Sequence, residues 1–515
     1  MKASICFTAL VSAFALLDTA AAAPITEAAV KTFLASIKLN ETAINKIKQT
    51  RGTQLACGVL EALKAQQLET KNDATYEKER TAHWSPTAWE NPTCIYSPTS
   101  ASDVSLAVKI LAFTGSQYAI RSGGHSPLEG WASIDNGVLI SMTKLKDISY
   151  DSAKQTVRFG LGNLWGDVYR YTEAQGRLPV GGRVGTVGPM LTPGGGLSHL
   201  SNRYGFSVDN VVSFEVVLAD GSIVTASSSS KSDLFWALKG GSNNFGIITH
   251  MTLKTYPSGK VWGGLVIYNA TLYQDQLMAA FATYQKDGQI SNKDTAMLTY
   301  VGINNQTVFA TYITYGATSR PAALQPFFDI PIVYDGTTTY DSFMALTEAN
   351  VVDFVVPRWT YAMTNIYLDN ATYVDVANAC AEFAAQMSTI NGGTYALMPQ
   401  PISTSMIDVS KTTGGNALGL KSKPQLWFTV NIGWNFASDD AKAIAIATAS
   451  MAKIEAITKS RGLYDPFIFL NDGGPNQKVI RSYGAENFAK MKKVSAAYDP
   501  RGMFQTQVPG GFKIV

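Results

Sequence analysis

Three glycine-rich segments, each beside a predicted strand, constrain the fold of this 515-residue chain more than any other feature. They read RSGGHS at 121–126, PGGGLSHLSNRYG at 193–205 and GGSNNFG at 240–246. Glycines let a backbone approach a ligand or another backbone closely, and three in a row cost considerable chain entropy. Because a concave row of backbone N–H groups suits a diphosphate, RSGGHS is a candidate phosphate-binding loop, although a lone Gly-Gly turn is typical of ordinary loops.

Other cofactor and partner classes find no support in the sequence. No Walker motif is present, and the segment from Gly160 to Gly162 is not a dinucleotide fingerprint because Trp165 stands where the third glycine belongs. The net charge is only +3 and no long Lys/Arg run occurs, which argues against nucleic acid or an anionic membrane surface as a partner. The four histidines and the scattered cysteines lack metal-ligand spacing, so we expect no metal site.

The N-terminus has the pattern of a secretory signal peptide, residues 1–23. Lys2 precedes a largely apolar run from Ile5 to Leu17, and small residues lead to a cleavage position before Pro24. The apolar run is shorter than the roughly 20 residues of a membrane span. The sequence therefore predicts a secreted protein.

Secretion affects how the cysteines and the glycosylation motifs are interpreted. Cys57 and Cys94 both precede the first glycine motif and are predicted to form a disulfide in an oxidising compartment. Cys380 lies in a helix-like run from Val374 to Met387 and is predicted to be a buried thiol. Four sequons support a glycoprotein: Asn40, Asn269, Asn305 and Asn370.

Changes in the pattern of predicted helices and strands divide the chain after the leader into four parts. Residues 24–84 are predicted to be a helical cap, and residues 85–258 alternate short strands and helices. In that part Ser102 is predicted to cap a helix from Asp103 to Ala112, and Asp220-Gly221 predicts a hairpin turn. Residues 259–460 alternate strand-like runs with alanine-rich helices, which indicates an antiparallel sheet backed by helices, and residues 461–515 form a final segment.

The three motifs, in this order, resemble the FAD-binding domain of the vanillyl-alcohol-oxidase superfamily, the PCMH-type domain. The RSGGH, PGGGLSHLSNRYGFSVDNV and GGSNNFGI segments are similar to those of the berberine-bridge-enzyme-like branch of secreted fungal and plant oxidases. The resemblance is strong over residues 85–258, good over 464–512 and only architectural between them. It implies an α+β fold with a two-lobed FAD-binding domain, completed by the C-terminal segment, and a substrate domain with an antiparallel sheet backed by helices.

The resemblance also implies roles for individual residues. The flavin-linking histidine of the family matches His125, which would bond the 8α carbon of FAD. The residues matching the pyrophosphate cradle are Arg121, Ser122, Gly123, Gly124 and Ser126. Those matching the lining of the isoalloxazine and ribityl chain are Gly194, Gly195, Gly196, Ser198, Asn202, Tyr204 and Gly205. Those matching the adenine side are Asn244, Gly246 and Ile247.

Two departures from the family pattern affect the expected chemistry. Many relatives link FAD a second time through a cysteine, but residues 181–188 read GGRVGTVG, so a single link is expected. The family's Tyr-x-Asn motif matches Phe469 and Asn471, so the usual phenolic base is missing. Asp472 is the nearest ionisable candidate for a base, with an ordinary loop carboxylate as the alternative, and Asn471 is expected to orient a group near the flavin. Tyr361 and Tyr367 are further candidates, with packing as their alternative role.

These features predict an FAD-dependent oxidase that removes a hydride from a small organic substrate while a base takes an O–H or N–H proton. Oxygen is the expected acceptor and hydrogen peroxide the expected product. A secondary-metabolite intermediate is the favoured substrate, and its product could cyclise within the site. The alternatives are a carbohydrate oxidase, a flavin dehydrogenase with another acceptor, and an inactive secreted binding protein.

Overall fold

The computed structural model describes residues 26–37, 39–350 and 356–514, so the predicted signal peptide lies outside the described residues. The fold combines three sheets with helices, as expected for the α+β class. The α-helices are Glu27–Ser36, Glu41–Ile47, Gly52–Lys64, Tyr76–Arg80, Ala101–Thr114, Trp165–Glu173, Ser201–Tyr204, Ser232–Gly241, Ala270–Thr283, Gln289–Ser291, Gln325–Phe328, Phe343–Ala349, Asn370–Ala379, Ala381–Met387, Thr404–Asp408, Asp440–Ser460, Val479–Ser482, Ala485–Tyr498 and Met503–Thr506.

The first sheet has four short strands and delivers the first glycine motif. Its strands are β1 (Leu68–Thr70), β2 (Cys94–Tyr96), β3 (Tyr118–Arg121) and β4 (Val138–Ser141). The order is β1-β2-β4-β3, with β4 parallel to both β2 and β3. The glycine motif starts where β3 ends, at the carboxyl edge of the parallel strands, which is where open α/β sheets bind ligands.

The helix that leads into β3 begins two residues earlier than predicted. It spans Ala101–Thr114, because the hydroxyl of Ser100 rather than Ser102 accepts the N–H of Asp103 at 3.2 Å and caps the first turn. It ends at Gly115, whose φ of 67° lies in the left-handed region. The helix packs against the second sheet, and its buried side chains share one hydrophobic core with those of the first sheet.

The cysteines follow the predicted pairing. A disulfide joins Cys57, on the helix Gly52–Lys64, to Cys94 at the start of β2, with a Cα–Cα distance of 6.0 Å. Cys380 is buried and free. The helical run predicted around Cys380 consists of two helices, Asn370–Ala379 and Ala381–Met387, because the helix is interrupted at Cys380.

The second sheet is antiparallel and carries the other two glycine motifs in its connections. Its strands are β5 (Ile148–Asp151), β6 (Thr156–Gly160), β7 (Arg177–Pro179), β8 (Val211–Val217), β9 (Ile223–Ser227) and β10 (Ile247–Pro257). The order is β5-β6-β10-β8-β9, and β7 pairs with β10. The predicted hairpin at Asp220-Gly221 joins β8 to β9, and Gly221 has the positive φ of 78° that such a turn needs.

The third sheet is larger, antiparallel and covered by helices on one face. Its strands are β11 (Val261–Asn269), β12 (Thr295–Ile303), β13 (Thr307–Tyr315), β14 (Ile332–Asp335), β15 (Thr338–Tyr340), β16 (Arg358–Tyr367), β17 (Thr394–Ile402), β18 (Gln425–Trp434) and β19 (Tyr464–Asp465). The order is β14-β11-β13-β12-β17-β18-β16-β19, and β15 pairs with β11. The helices Ala270–Thr283, Ala381–Met387 and Asp440–Ser460 pack against it.

Alternation along β18 shows how the third sheet divides its two faces. Leu426, Phe428 and Val430 pack into the core shared with the helices. Trp427, which points the other way, belongs to the core of the first two sheets. Successive side chains of a strand point to opposite faces, so Thr429 and Asn431 also face the first two sheets. The third sheet therefore forms a wall opposite the glycine motifs.

The C-terminal segment shares the core of the first two sheets, although its β19 pairs with β16 of the third sheet. Phe469, Met491, Phe504 and Phe512 all belong to the hydrophobic core that contains the first two sheets. Within residues 26–37, 39–350 and 356–514, no helix combines the length and apolar character needed to cross a membrane.

Candidate functional site

A cavity of about 360 Å³ lies between the glycine motifs and the wall formed by the third sheet. Its first side is the loop after β3. Its second side is the connection from residue 182 to residue 191, and its third is the C-terminal segment. The residues that the third sheet contributes are Tyr361, Met398, Gln400, Thr429 and Asn431.

The loop after β3 approaches the 182–191 connection backbone to backbone. A Cβ built on Gly123 would lie 2.4 Å from the backbone nitrogen of Gly188, so both positions need glycine. Gly124 adopts a left-handed φ of 63°. Within the described residues, the backbone N–H groups from Gly123 to Ser126 donate to no protein acceptor. A row of N–H groups at the edge of a cavity is the donor set that a diphosphate requires, so this loop fits the pyrophosphate of FAD.

His125 lines the cavity with its ring held by aromatic stacking. The indole of Trp84 stacks on the imidazole at a centroid distance of 4.8 Å and an interplanar angle of 9°. Trp359 of β16 continues the stack at 5.5 Å from Trp84. Burial lowers the pKa of His125 to about 4, so the ring is neutral at physiological pH. A neutral imidazole keeps the lone pair that a covalent bond to carbon uses.

Arg121 supports the loop from behind and does not line the cavity. Its buried guanidinium pairs with Glu79 and donates to the hydroxyl of Ser141 at 3.3 Å. By contrast, the other residues matched to the pyrophosphate cradle, Ser122 to Gly124 and Ser126, line the cavity.

The triple glycine packs against other parts of the protein and does not line the cavity. A Cβ on Gly194 would lie 2.6 Å from Oδ1 of Asn471, and a Cβ on Gly195 would lie 2.8 Å from the ring of Phe469. A Cβ on Gly196 would lie 2.5 Å from Cβ of Ser207. Gly194 and Gly195 therefore allow the C-terminal segment to pack closely on the second motif, and Gly196 allows the close approach of Ser207.

The remaining residues matched to the isoalloxazine and ribityl lining also lie outside the cavity lining. Asn202 donates to the carbonyl of Gln289 at 2.8 Å and accepts from Ser403 at 2.7 Å, which joins the second motif to the substrate domain. Tyr204 stacks on Tyr256 at 3.6 Å. The others in this group are Ser198, which borders a smaller neighbouring cavity, and Gly205, which packs against Val409.

The third motif and the chain end close one end of the cavity. Gly246 and Ile247 line it, as the resemblance implied for the adenine side. Asn244 does not, but its side-chain amide donates to the carbonyls of Gly241 and Phe512, each at 2.8 Å. These bonds hold Phe512 in the cavity lining.

Asp472 faces the cavity within a hydrogen-bonded group of side chains. Its Oδ2 accepts from Nε2 of Gln400 at 2.7 Å and from Oγ1 of Thr429 at 3.4 Å. Oε1 of Gln400 accepts from Nη2 of Arg183 at 2.5 Å. Burial raises the pKa of Asp472, and the charge of Arg183 and the two hydrogen bonds only partly oppose this. A carboxylate with a raised pKa beside a cavity is suited to accept a proton.

The other predicted catalytic side chains take different positions. Asn471 lines the cavity and donates to the carbonyl of Leu191 at 2.9 Å. Tyr361 lines the cavity and pairs with Asn431 across β16 and β18, and burial together with the charge of Asp472 raises its pKa far above 10, so its phenol is protonated at neutral pH. Tyr367 does not line the cavity and donates to Asp465 at 2.5 Å.

Several cavity residues were missed by the sequence reasoning. Arg183 was considered only as part of a loop without cysteine. For residues 259–460, the sequence indicated only strand-like runs that alternate with helices. This region contains Gln400, Thr429 and Asn431. The available signal was alternation, because Thr429 and Asn431 are polar residues that interrupt an apolar strand at every second position. Within the described ranges, no group of three or more His, Cys, Asp or Glu side chains could hold a metal ion.

Comparisons with known proteins agree with this geometry. Residues 92–227 match a family model described as an FAD binding domain. The chain is 46% identical over 487 residues to the bifunctional solanapyrone synthase of Alternaria solani, covering 94% of each protein. It is 36% identical over 505 residues to an FAD-dependent monooxygenase of Arthrobotrys oligospora, covering 95% of this chain and 96% of the relative.

Solved structures share the fold at low identity. The glucooligosaccharide oxidase of Acremonium strictum has a TM-score of 0.71 at 18% identity and covers 87% of this chain and 97% of its own. The 6-hydroxy-D-nicotine oxidase of Arthrobacter nicotinovorans has a TM-score of 0.69 at 21% identity, with the same coverage. A berberine-bridge-enzyme-like protein of Physcomitrella patens has a TM-score of 0.73 at 18% identity, again covering 87% and 97%.

The fold, the glycine-built cradle and the matched family model define an FAD-dependent oxidoreductase. The chain belongs to the family of FAD-dependent oxidoreductases that includes the solanapyrone synthase and the FAD-dependent monooxygenase named above, and it shares its fold with the berberine-bridge-enzyme-like protein.

Gly188→Ala should reduce the FAD content of the purified protein several-fold. The added Cβ would lie 2.4 Å from the backbone nitrogen of Gly123, and overpacking of this kind costs about 1–3 kcal/mol. The flavin-to-protein absorbance ratio measures the effect. Gly259→Ala is the matched control, because a Cβ there meets no atom within 4 Å, and it should retain the wild-type ratio. Equal ratios in the two variants would refute the assigned role of the glycine contact.

Proposed function

We propose that the protein is a secreted oxidase that holds FAD through one covalent bond to His125 and oxidises a small secondary-metabolite intermediate. The observation that carries the proposal is the single cavity in which the neutral imidazole of His125, the donor loop 122–126 and the Asp472 carboxylate all lie. When bound, FAD accepts a hydride from the substrate and is reoxidised by oxygen, which yields hydrogen peroxide.

The protein's own groups bind FAD and handle the proton. The backbone N–H groups from Gly123 to Ser126 hold the pyrophosphate. An imidazole substituent withdraws electron density from the flavin, so attachment through His125 favours hydride acceptance. Asp472 takes the O–H or N–H proton of the substrate, while Gln400 and Thr429 hold the carboxylate in place. For an alcohol, the balanced reaction converts R₂CHOH and O₂ into R₂C=O and H₂O₂.

The choice of substrate class rests on the relatives. The side of the cavity formed by the third sheet is mostly polar, with Tyr361, Gln400, Thr429 and Asn431 beside Met398, so it can hydrogen-bond a polar group of the substrate. A metabolite is favoured because the relative with 46% identity is named a solanapyrone synthase and not a carbohydrate oxidase. The relative with 46% identity is named a bifunctional synthase, which supports a second step such as cyclisation of the product.

Secretion is part of the proposal and rests on separate features. The leader at 1–23 and the four sequons suit a secreted protein, and the Cys57–Cys94 disulfide suits an oxidising compartment. Two of the sequon residues, Asn40 and Asn370, are exposed at the starts of helices.

Oxidase activity is tested by screening metabolites for bleaching of the flavin and measuring peroxide in air. One peroxide per product is expected, with no oxygen atom from ¹⁸O₂ in the product. Monooxygenation is the second candidate, because the relative with 36% identity is named an FAD-dependent monooxygenase. An ¹⁸O atom in the product with little peroxide would support it over oxidation. Bleaching that needs an added dye to turn over would support a dehydrogenase instead.

The covalent bond predicts that the flavin stays with acid-precipitated protein. Protein collected from the growth medium should give a proteolytic peptide that contains His125 and carries the mass of FAD, and a mature N-terminus at Pro24. His125→Ala should release its flavin on precipitation. The control is His250→Gln, since His250 does not line the cavity, and it should keep the flavin. Flavin that leaves the wild-type protein entirely would disprove the bond.

The proposed base predicts a defined pH dependence. Because the active form of Asp472 is deprotonated, kcat/KM should rise with pH through a pKa above the usual carboxyl value of 3.8. Asp472→Asn should lower kcat about 10²- to 10⁴-fold and remove this acidic limb. The control is Asp341→Asn, which changes a surface carboxylate that is 93% exposed. It should keep the wild-type kcat and the acidic limb of the pH profile. A variant at 472 with the wild-type pH profile would exclude Asp472 as the base.

A further inference from the structure

Arg183 lies where the main cavity meets a second, smaller one. It lines the main cavity and also a neighbouring space of about 30 Å³. Leu197, Met398 and Gln400 likewise line both spaces. The guanidinium therefore stands at the junction of the two spaces, in the connection that approaches the loop after β3 at Gly188.

The surroundings of this cation affect its charge in two ways. Burial lowers the pKa of Arg183, while the charge of Asp472 opposes this effect. Burial also lowers the pKa of the nearby His199, and the charge of Arg183 lowers it further. A guanidinium carries five N–H donors in a planar fork, so one that lines a cavity can bind a carboxylate of a ligand.

The cation is oriented through Gln400. Oε1 of Gln400 accepts from Nη2 of Arg183 at 2.5 Å, and Nε2 of Gln400 donates to Asp472 at 2.7 Å and to Thr429 at 3.0 Å. A rotated amide would present Nε2 to the guanidinium and lose these bonds. One amide thus sets the positions of the cation and of the proposed base relative to each other.

We propose that Arg183 binds a carboxylate of the substrate, which identifies the substrate class as small organic acids with that carboxylate near the oxidised carbon. This inference rests on the proposed function, because it assumes that the substrate occupies the side of the cavity formed by the third sheet. Arg183 binds and polarises the substrate oxygen, and Asp472 takes the proton, so no bond to Arg183 forms or breaks.

Binding of carboxylates and their neutral amides to the flavin-loaded enzyme tests the inference. The probes are benzoate, phenylacetate and hexanoate, each paired with its primary amide, and calorimetry gives the dissociation constants. In the wild-type protein at least one carboxylate should bind ten or more times more tightly than its amide. Arg183→Gln should abolish this preference, and Arg183→Lys should reduce it at least threefold, because a lysine keeps the charge but loses the planar fork.

Controls separate this inference from the proposed function. Arg170→Gln removes a guanidinium that is 59% exposed and does not line the cavity, and it should retain the wild-type preference. Arg183→Gln should keep its acid-stable flavin, so a loss of preference does not reflect a lost cofactor. The inference is overturned if no carboxylate in the panel is preferred by the wild type. It is also overturned if Arg183→Gln retains the wild-type preference for the carboxylate. If Arg183→Gln does not fold, full retention of that preference by Arg183→Lys overturns it instead. Loss of flavin with an unchanged preference would assign Arg183 to the cofactor instead.

Discussion

The site depends on the contact between two glycine backbones, Gly123 and Gly188. A side chain at either position would collide with the other backbone, so the loop after β3 and the 182–191 connection come this close only because both residues are glycine. Their contact places His125 and Arg183 at the same cavity, although the two residues are 58 positions apart in sequence. The proposed attachment of the cofactor and the proposed recognition of the substrate both follow from this close approach.

Burial tunes the two sides of the cavity in opposite ways. It lowers the pKa of His125 to about 4, which leaves a neutral ring for bonding to carbon. It raises the pKa of Asp472, which suits a proton acceptor, while Arg183 limits the rise. Because charged forms lose hydration in such a cavity, small changes in its walls are expected to shift both groups.

The C-terminal segment ties the two domains together. Phe469 packs on Gly195 and stacks on Trp427 of the third sheet at 4.7 Å, so one aromatic ring contacts both the second glycine motif and the substrate wall. Phe469 thus both packs between the domains and lines the cavity, and the nearby Asp472 supplies an ionisable group there.

Much of the FAD-binding part could be predicted from the sequence, because its glycines and His125 form local motifs whose backbone demands are specific. The Asp220-Gly221 hairpin was predicted correctly for the same local reason. The Cys57–Cys94 disulfide was predicted correctly because both cysteines precede the first glycine motif in a chain with a secretory leader. The triple glycine was expected to line the isoalloxazine and ribityl chain. Only the fold shows that Phe469 and Asn471 fill the space beside it.

The substrate wall was harder to predict because its members come from three strands. Tyr361, Gln400 and Thr429 become neighbours only when β16, β17 and β18 pair in register. A sequence shows the alternation of polar and apolar residues in each strand but not which strands lie side by side. Arg183 was overlooked since a single arginine in a glycine-rich loop carries no pattern of its own.

A crystal structure of the protein purified with its flavin tests the central claim most directly. The account predicts continuous electron density from the imidazole of His125 to the 8α carbon, with the pyrophosphate on the N–H groups of Gly123 to Ser126. Asp472 and Arg183 should face the same open side of the isoalloxazine. Flavin bound elsewhere, or an imidazole turned away from the dimethylbenzene ring, would contradict the account.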